Sequence, residues 1–132
     1  DEVLAYGLFQ CLQRHKEPLA AKPLGRLLQL AHRHAQSDRE EHAVAAMRFI
    51  LHALEVSWPP MARSLRQVGT PKSTYDACEE VASRISSLLG SVRAMAKSVR
   101  ISRTSGPLVP VCRRLKTALE EALAAASRGR SG

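Results

Sequence analysis

The apolar residues between Tyr75 and Val99 recur at alternating intervals of three and four positions, and this spacing limits the fold more than any other feature of the chain. It places them on one face of an α-helix, because a helix turns once in about 3.6 residues. Helices with such a stripe pack lengthwise at a crossing angle of about +20°. The spacing therefore predicts a long helix within a bundle. The stripe consists of Tyr75, Cys78, Ala82, Ile85, Leu89, Val92, Ala96 and Val99.

Further helix patterns fill most of the remaining sequence, and prolines mark the connections because proline cannot continue a helical hydrogen-bond ladder. Ser37 and Glu40 form a capping-box pattern, which predicts the start of a helix. The first helix is apolar on nearly every side, which predicts deep burial or a partner on its second face. In chain order, the predicted helices cover 1–15, the stretch opened by Pro23, 37–57, a short segment at 61–68, the stretch opened by Thr70 and Pro71, and 108–127.

This order of helices, with no strand pattern between them, predicts an all-α fold. We expect an antiparallel four- to five-helix bundle with one short extra helical segment and no sheet. The composition agrees, because 45% of the residues are apolar and only 4% are aromatic, so aliphatic side chains must fill the core. We expect residues 1–126 to form a single domain excised from a larger protein, and residues 127–132 to form a flexible tail.

The three cysteines, Cys11, Cys78 and Cys112, lie far apart, and each falls among apolar residues at helical spacing. That pattern predicts buried free thiols in a reducing compartment. The sequence also shows no signal peptide and no apolar run long enough to cross a bilayer. We therefore expect an intracellular protein of the nucleus or the cytoplasm.

No aspartate or glutamate occurs between Val81 and Leu119, although this window contains eight lysines and arginines. These eight charges equal the formal net charge of +8 of the whole chain. The basic excess fits an ordinary soluble surface, a surface for the phosphates of nucleic acid or anionic lipid, or a surface for an acidic protein. The window contains no aromatic residue that would stack on a base. Its cations are Arg84, Arg93, Lys97, Arg100, Arg103, Arg113, Arg114 and Lys116.

No group of residues in the sequence predicts catalysis or metal binding. Among the five histidines, His32 and His34 are two positions apart, which puts them on different faces of a helix. The chain also contains no nucleophile elbow, phosphate-binding glycine loop or dinucleotide fingerprint. We therefore expect a protein that is not an enzyme and that uses no cofactor and no metal.

Three hydroxyl residues match short phosphorylation patterns. Ser102 and Ser105 each follow an arginine by two positions, and Thr70 precedes Pro71 and Lys72. Patterns this short occur by chance in most proteins. A phosphate on Ser102 would nevertheless place about two negative charges among arginines.

These observations predict a non-catalytic adaptor or scaffold module that binds an acidic or amphipathic helical segment of another protein in a groove between helices. The first alternative is binding to the phosphate backbone of nucleic acid. The second is homo-oligomerisation through a face of small residues that includes Ser87 and Gly90. We predict a basic rim of Arg93, Lys97, Arg100, Arg103, Arg113 and Arg114, and apolar contacts from Tyr6, Phe9 and Trp58.

Overall fold

The structure is a computed structural model that describes residues 2–102 and 106–127, with side chains at 3–98 and 106–127. Within these ranges the chain forms six α-helices and no strand, which confirms the predicted all-α bundle. None of the described helices is both long and apolar enough to cross a membrane. The helices are α1 (Glu2–Leu12), α2 (Ala21–His34), α3 (Glu40–Val56), α4 (Trp58–Arg66), α5 (Lys72–Ser102) and α6 (Leu108–Ser127).

The helices α3 and α6 lie side by side and run in the same direction. At their first residues, a carboxylate oxygen of Glu40 accepts a hydrogen bond from the Leu108 amide at 3.4 Å. Beyond the last residue of α3, the Trp58 indole donates a hydrogen bond to the Ala122 carbonyl near the end of α6, at 2.9 Å. Because the two bonds join corresponding ends, α3 and α6 are parallel neighbours.

The helix α1 also runs parallel to α3, on another of its sides. The ring of Tyr6 stacks on the ring of His42, with centroids 4.9 Å apart. Further along, His52 Nε2 donates a hydrogen bond to the carbonyl of His15 at 2.6 Å, just beyond the end of α1. α3 therefore lies between α1 and α6 and makes contact with both.

The helix α2 runs antiparallel to α3, because the Leu19 amide before α2 donates a hydrogen bond to Ser57 Oγ after α3, at 2.9 Å. A short connection likewise joins α5 to α6, and α6 packs along α5 in the opposite direction. Long helices that follow one another in the chain are thus antiparallel, as predicted for the bundle. The parallel pairs α1–α3 and α3–α6 join helices that are not consecutive in the sequence.

The buried face of α5 is the predicted stripe turned by a fraction of a helical turn. α5 packs against α2, α4 and α6, and four of its side chains are at most 1% exposed. They are Val81, Ile85, Leu88 and Val92. Tyr75, Ala82 and Ala96 are half-buried along the edge of this face, and the side chain of Val99 lies outside the described residues.

The predicted capping box at the start of α3 is wrong. The helix begins at Glu40, and Ser37 Oγ accepts a hydrogen bond from the Arg39 amide at 3.2 Å, before the helix starts. The Glu40 carboxylate instead meets the first turn of α6 at the Leu108 amide. Free amides at a helix start favour a nearby negative charge, so Glu40, in the first turn of α3, stabilises the start of α6 as well.

The two connections that flank α4 also differ from what the sequence predicts. Pro59 and Pro60 do not follow α3 as stops but occupy the first turn of α4, where the missing amides cost no hydrogen bond. Thr70, predicted as the N-cap of α5, donates its hydroxyl to the carbonyls of Ser64 at 2.8 Å and Gln67 at 3.3 Å. Its side chain therefore closes the end of α4.

The cysteines divide into two environments and form no disulfide. Cys78 and Cys112 are buried, as predicted, and burial raises the pKa of both thiols. The prediction of burial is wrong for Cys11, which is exposed on α1. The reason is that α1 packs on α2 and α3 through the face of Ala5 and Phe9, while Cys11 lies about 160° around the helix from Phe9.

Candidate interaction groove

The structure divides the predicted basic rim between two sides of α6. On the side toward α5, Arg93 pairs with Glu120 at 3.1 Å, so its charge is partly matched within the bundle. Arg113 lies seven residues before Glu120 and therefore on the same helix face. Lys97 is exposed one turn after Arg93 on α5. These residues are exposed along the α5–α6 side of the bundle.

Arg114 lies about 100° around α6 from Arg113, on the side toward α3 and α4. There it lines a groove together with Arg63 and Arg66 of α4. The side chains of Arg100 and Ser102 lie outside the described residues, as do Arg103 and Ser105 altogether. Of the predicted rim, Arg114 lines the groove described below.

The apolar contacts predicted for Phe9 and Trp58 are wrong, because both side chains belong to the core. Phe9 is 0% exposed and stacks on Phe49, with ring centroids 5.2 Å apart. Trp58 is 2% exposed, and its indole N–H donates a hydrogen bond to the Ala122 carbonyl. Tyr6 is half-buried and lines a cleft beside α3, so it alone of the three offers surface.

The groove that contains Arg114 lies between α3, α4 and α6 and has a volume of about 460 Å³; we name it the α3–α4–α6 groove. Its floor is apolar, with Leu51 and Leu54 half-buried on α3 and Pro59 exposed on α4. Small residues of α6 form the facing wall and leave room for an incoming side chain. They are Ala118, Ala122 and Ala125.

Three exposed arginines, Arg63, Arg66 and Arg114, surround this floor. Within the described part of the chain, none of them has a carboxylate within 4.0 Å. Glu55 and Glu121 also line the groove and keep it from being uniformly positive. The arrangement is an apolar patch beside unneutralised guanidinium groups, which suits an apolar ligand that carries negative charges.

The sequence prediction missed Arg63 and Arg66, because it searched for cations in the window without acidic residues, where neither lies. A weaker signal was available. The two arginines are three positions apart on the short helix and therefore share one face, opposite the inward Met61 and Leu65. Nothing in the spacing, however, indicates that this face lies beside Arg114.

A second cavity of about 890 Å³ lies between α1 and the first half of α3, and we name it the α1–α3 cleft. Arg14, Arg39 and Arg48 line it and are exposed. None of the three has a carboxylate within 4.0 Å among the residues that the structure describes. The cleft is thus a second basic surface, and it contains no residue of the predicted rim.

The small-residue face of α5 is partly covered by α2. Ser91 Oγ and His32 Nε2 share a hydrogen bond of 2.6 Å, whereas Ser87 and Gly90 are exposed. Burial, followed by the positive charge of Arg84, lowers the pKa of His32 below its ordinary value of 6.5. The fold therefore favours the neutral imidazole.

We expect this histidine to make the chain less stable in mild acid. At pH values between the lowered pKa and 6.5, the unfolded chain binds more protons than the folded chain. The contribution of His32 to the free energy of unfolding is therefore fully present above pH 6.5 and decreases as the pH falls below it. Urea unfolding from about pH 7.5 to about pH 5 should show a smaller loss for His32→Gln than for the wild type. Equal losses in the two proteins would contradict this assignment.

Other candidate centres are not found in the described residues, where no three side chains of His, Cys, Asp or Glu come together as metal ligands would. A comparison with protein-family models found no match for the chain, and comparisons with curated proteins and with solved structures found no significant similarity.

Proposed function

We propose that this chain is a non-catalytic protein-interaction module whose α3–α4–α6 groove binds an acidic, amphipathic helical segment of another protein. The observation that carries the proposal is the apolar floor of Leu51 and Leu54 beside three arginines that have no carboxylate of the described residues within 4.0 Å. These are Arg63, Arg66 and Arg114. A helix can present apolar residues to the floor and carboxylates to the rim at the same time.

Apolar burial supplies the affinity in this mode of binding. Each leucine-sized side chain that moves from water into the groove contributes about 1.5–3 kcal/mol. The arginines act mainly on specificity and on the rate of encounter, because they are exposed and screened by salt. They favour carboxylates over ammonium groups at the flanks of the segment.

The buried thiols support the placement of the module inside the cell, in the nucleus or the cytoplasm. Cys78 and Cys112 are reduced in the core and form no disulfide. Free thiols of this kind are typical of reducing compartments. This placement is part of the proposal and agrees with a partner that is an intracellular protein.

The test uses a display library of helical peptides of about 18 residues, with one leucine stripe and flanking positions randomised among Glu, Gln and Lys. We expect selection on the immobilised chain to enrich Glu at the flanks. The enriched peptide should bind the double variant Arg63→Glu/Arg114→Glu at least about tenfold more weakly than the wild type.

The matched control is Arg26→Glu/Arg33→Glu, which makes the same change of charge at two exposed residues of α2 that line neither cavity. It should bind the peptide as the wild type does. Equal losses in both variants, or a selection that enriches no saturable binder, would overturn the proposal. Salt-sensitive binding of unrelated DNA duplexes that is lost in the groove variant would favour the nucleic-acid alternative instead.

A further inference from the structure

We infer that the α1–α3 cleft and the α3–α4–α6 groove are two halves of one long groove, and that a single acidic helix of about five turns lies along α3 and occupies both. This inference rests on the proposed function and specifies the partner segment: its length, its position and its charge.

One stripe of α3 lies along both cavities, and its residues are exposed or half-buried except Val44, which is 5% exposed. Its members are separated by three, four, three and four residues, which places them on one helix face over about 21 Å. The first three line the α1–α3 cleft and the last two line the α3–α4–α6 groove, so one cavity begins where the other ends. They are Glu41, Val44, Arg48, Leu51 and Glu55.

The wall on one side of this stripe begins with α1. The α3 residues that contact α1 or the turn after it each follow a stripe residue by one position, and therefore lie about 100° around the helix from it. These residues are His42, Ala45, Phe49 and His52.

The wall on the other side is α6. Glu40, one position before the stripe, meets the first turn of α6 at Leu108. Pro107, the residue before α6, lines the first cavity, and Arg114 of α6 lines the second, so the approach to α6 borders the first half of the stripe and α6 itself borders the second. α1 and α6 both run parallel to α3 on either side of the stripe, and we name the space along the stripe the trough. Residues of α1 line it in the first cavity, and residues of α6 line it in the second.

The charges around the trough select an acidic occupant. Six arginines and four glutamates line the two cavities, an excess of two positive charges. The Glu40 carboxylate keeps its negative charge while it accepts the hydrogen bond from the Leu108 amide, and it is counted among the four glutamates. The arginines are distributed over both halves, with Arg14, Arg39 and Arg48 in the first and Arg63, Arg66 and Arg114 in the second.

The test changes only the half of the long groove that the proposed function does not require. The enriched peptide of about 18 residues should bind Arg14→Glu/Arg48→Glu at least about tenfold more weakly than it binds the wild type, and Arg26→Glu/Arg33→Glu with unchanged affinity. Either half of the peptide alone, about nine residues long, should lose at least about tenfold in affinity because it fills one cavity. Far-UV circular dichroism checks that each variant is folded.

The outcomes separate the two proposals. If Arg63→Glu/Arg114→Glu weakens binding and Arg14→Glu/Arg48→Glu does not, the long groove is wrong and the α3–α4–α6 groove stands. If neither variant differs from the control, both proposals are wrong. If only Arg14→Glu/Arg48→Glu weakens binding, the peptide occupies the α1–α3 cleft alone, which also overturns both.

Discussion

Trp58→Ala should lower the free energy of unfolding by about 3–5 kcal/mol, the usual range for removal of a buried aromatic side chain. Trp58 is 2% exposed, and its indole fills the space between α4 and α6. The substitution leaves a cavity at this junction and removes the hydrogen bond to the Ala122 carbonyl. Because Trp58 is the one tryptophan of the chain, urea unfolding should be followed by far-UV circular dichroism rather than fluorescence.

Trp58→Phe is the matched variant, since it keeps most of the ring and deletes the donor. We expect a smaller loss, of about 1–3 kcal/mol, from the unmade hydrogen bond and the reduced volume. A Trp58→Ala protein within about 1 kcal/mol of the wild type would show that the indole is not part of the core. A larger loss for the phenylalanine variant than for the alanine variant would also contradict the packing described here.

Phe9→Ala should have an effect of similar size, about 3–5 kcal/mol, although Phe9 belongs to the peripheral helix α1. Its ring stacks on Phe49 and meets the edge of His34, with centroids 6.0 Å apart, so it fixes α1 to both α2 and α3. Loss of this ring should weaken the docking of the whole helix. Hydrogen exchange should then show faster exchange of the α1 amides than of the α5 amides.

Leu4→Ala on the same helix provides the contrast, because Leu4 is 73% exposed. We expect a change within about 0.5 kcal/mol, the normal range at the surface. Two large apolar residues of one short helix would thus differ several-fold in their contribution to stability. Equal effects of Phe9→Ala and Leu4→Ala would mean that α1 packs through a different face.

The positions of the helices could be predicted because the signals that define them are local. A 3.6-residue period, a proline or a break in the apolar pattern lies within a few positions of the residue it affects. The last helix was predicted over residues 108–127, the range that α6 covers. Pro107 and the small polar tail mark its limits in the sequence itself.

The interactions at helix ends were harder to predict, because a side chain near a helix start can choose among several partners. Glu40 was expected to complete a capping box with Ser37, yet its carboxylate meets the amide of Leu108, 68 positions later. Thr70 was expected to open α5 and instead closes α4. In both cases the residue type indicated a helix cap, and the packing of the helices decided which helix end the side chain caps.

The exposed face of α1 shows the same limit for apolar residues. The sequence of this helix is apolar on nearly every side, which predicted deep burial or a partner on its second face. Phe9 and Ala5 point into the core, while Val3 is 65% exposed. No local pattern distinguishes these residues, because the difference comes from the side of α1 on which α3 lies.

By itself, the sequence determined that this protein is an all-α bundle, where its helices lie and where its excess positive charge is concentrated. These properties follow from spacing and composition, which are local. Only the tertiary structure decided which arginines surround an apolar surface. Two of them, Arg63 and Arg66, belong to α4, and they come near Arg114 of α6 because α4 packs on α6. The residues that line a groove belong to different helices. They become neighbours because the helices pack together through their buried faces, which lie opposite the faces that line the groove.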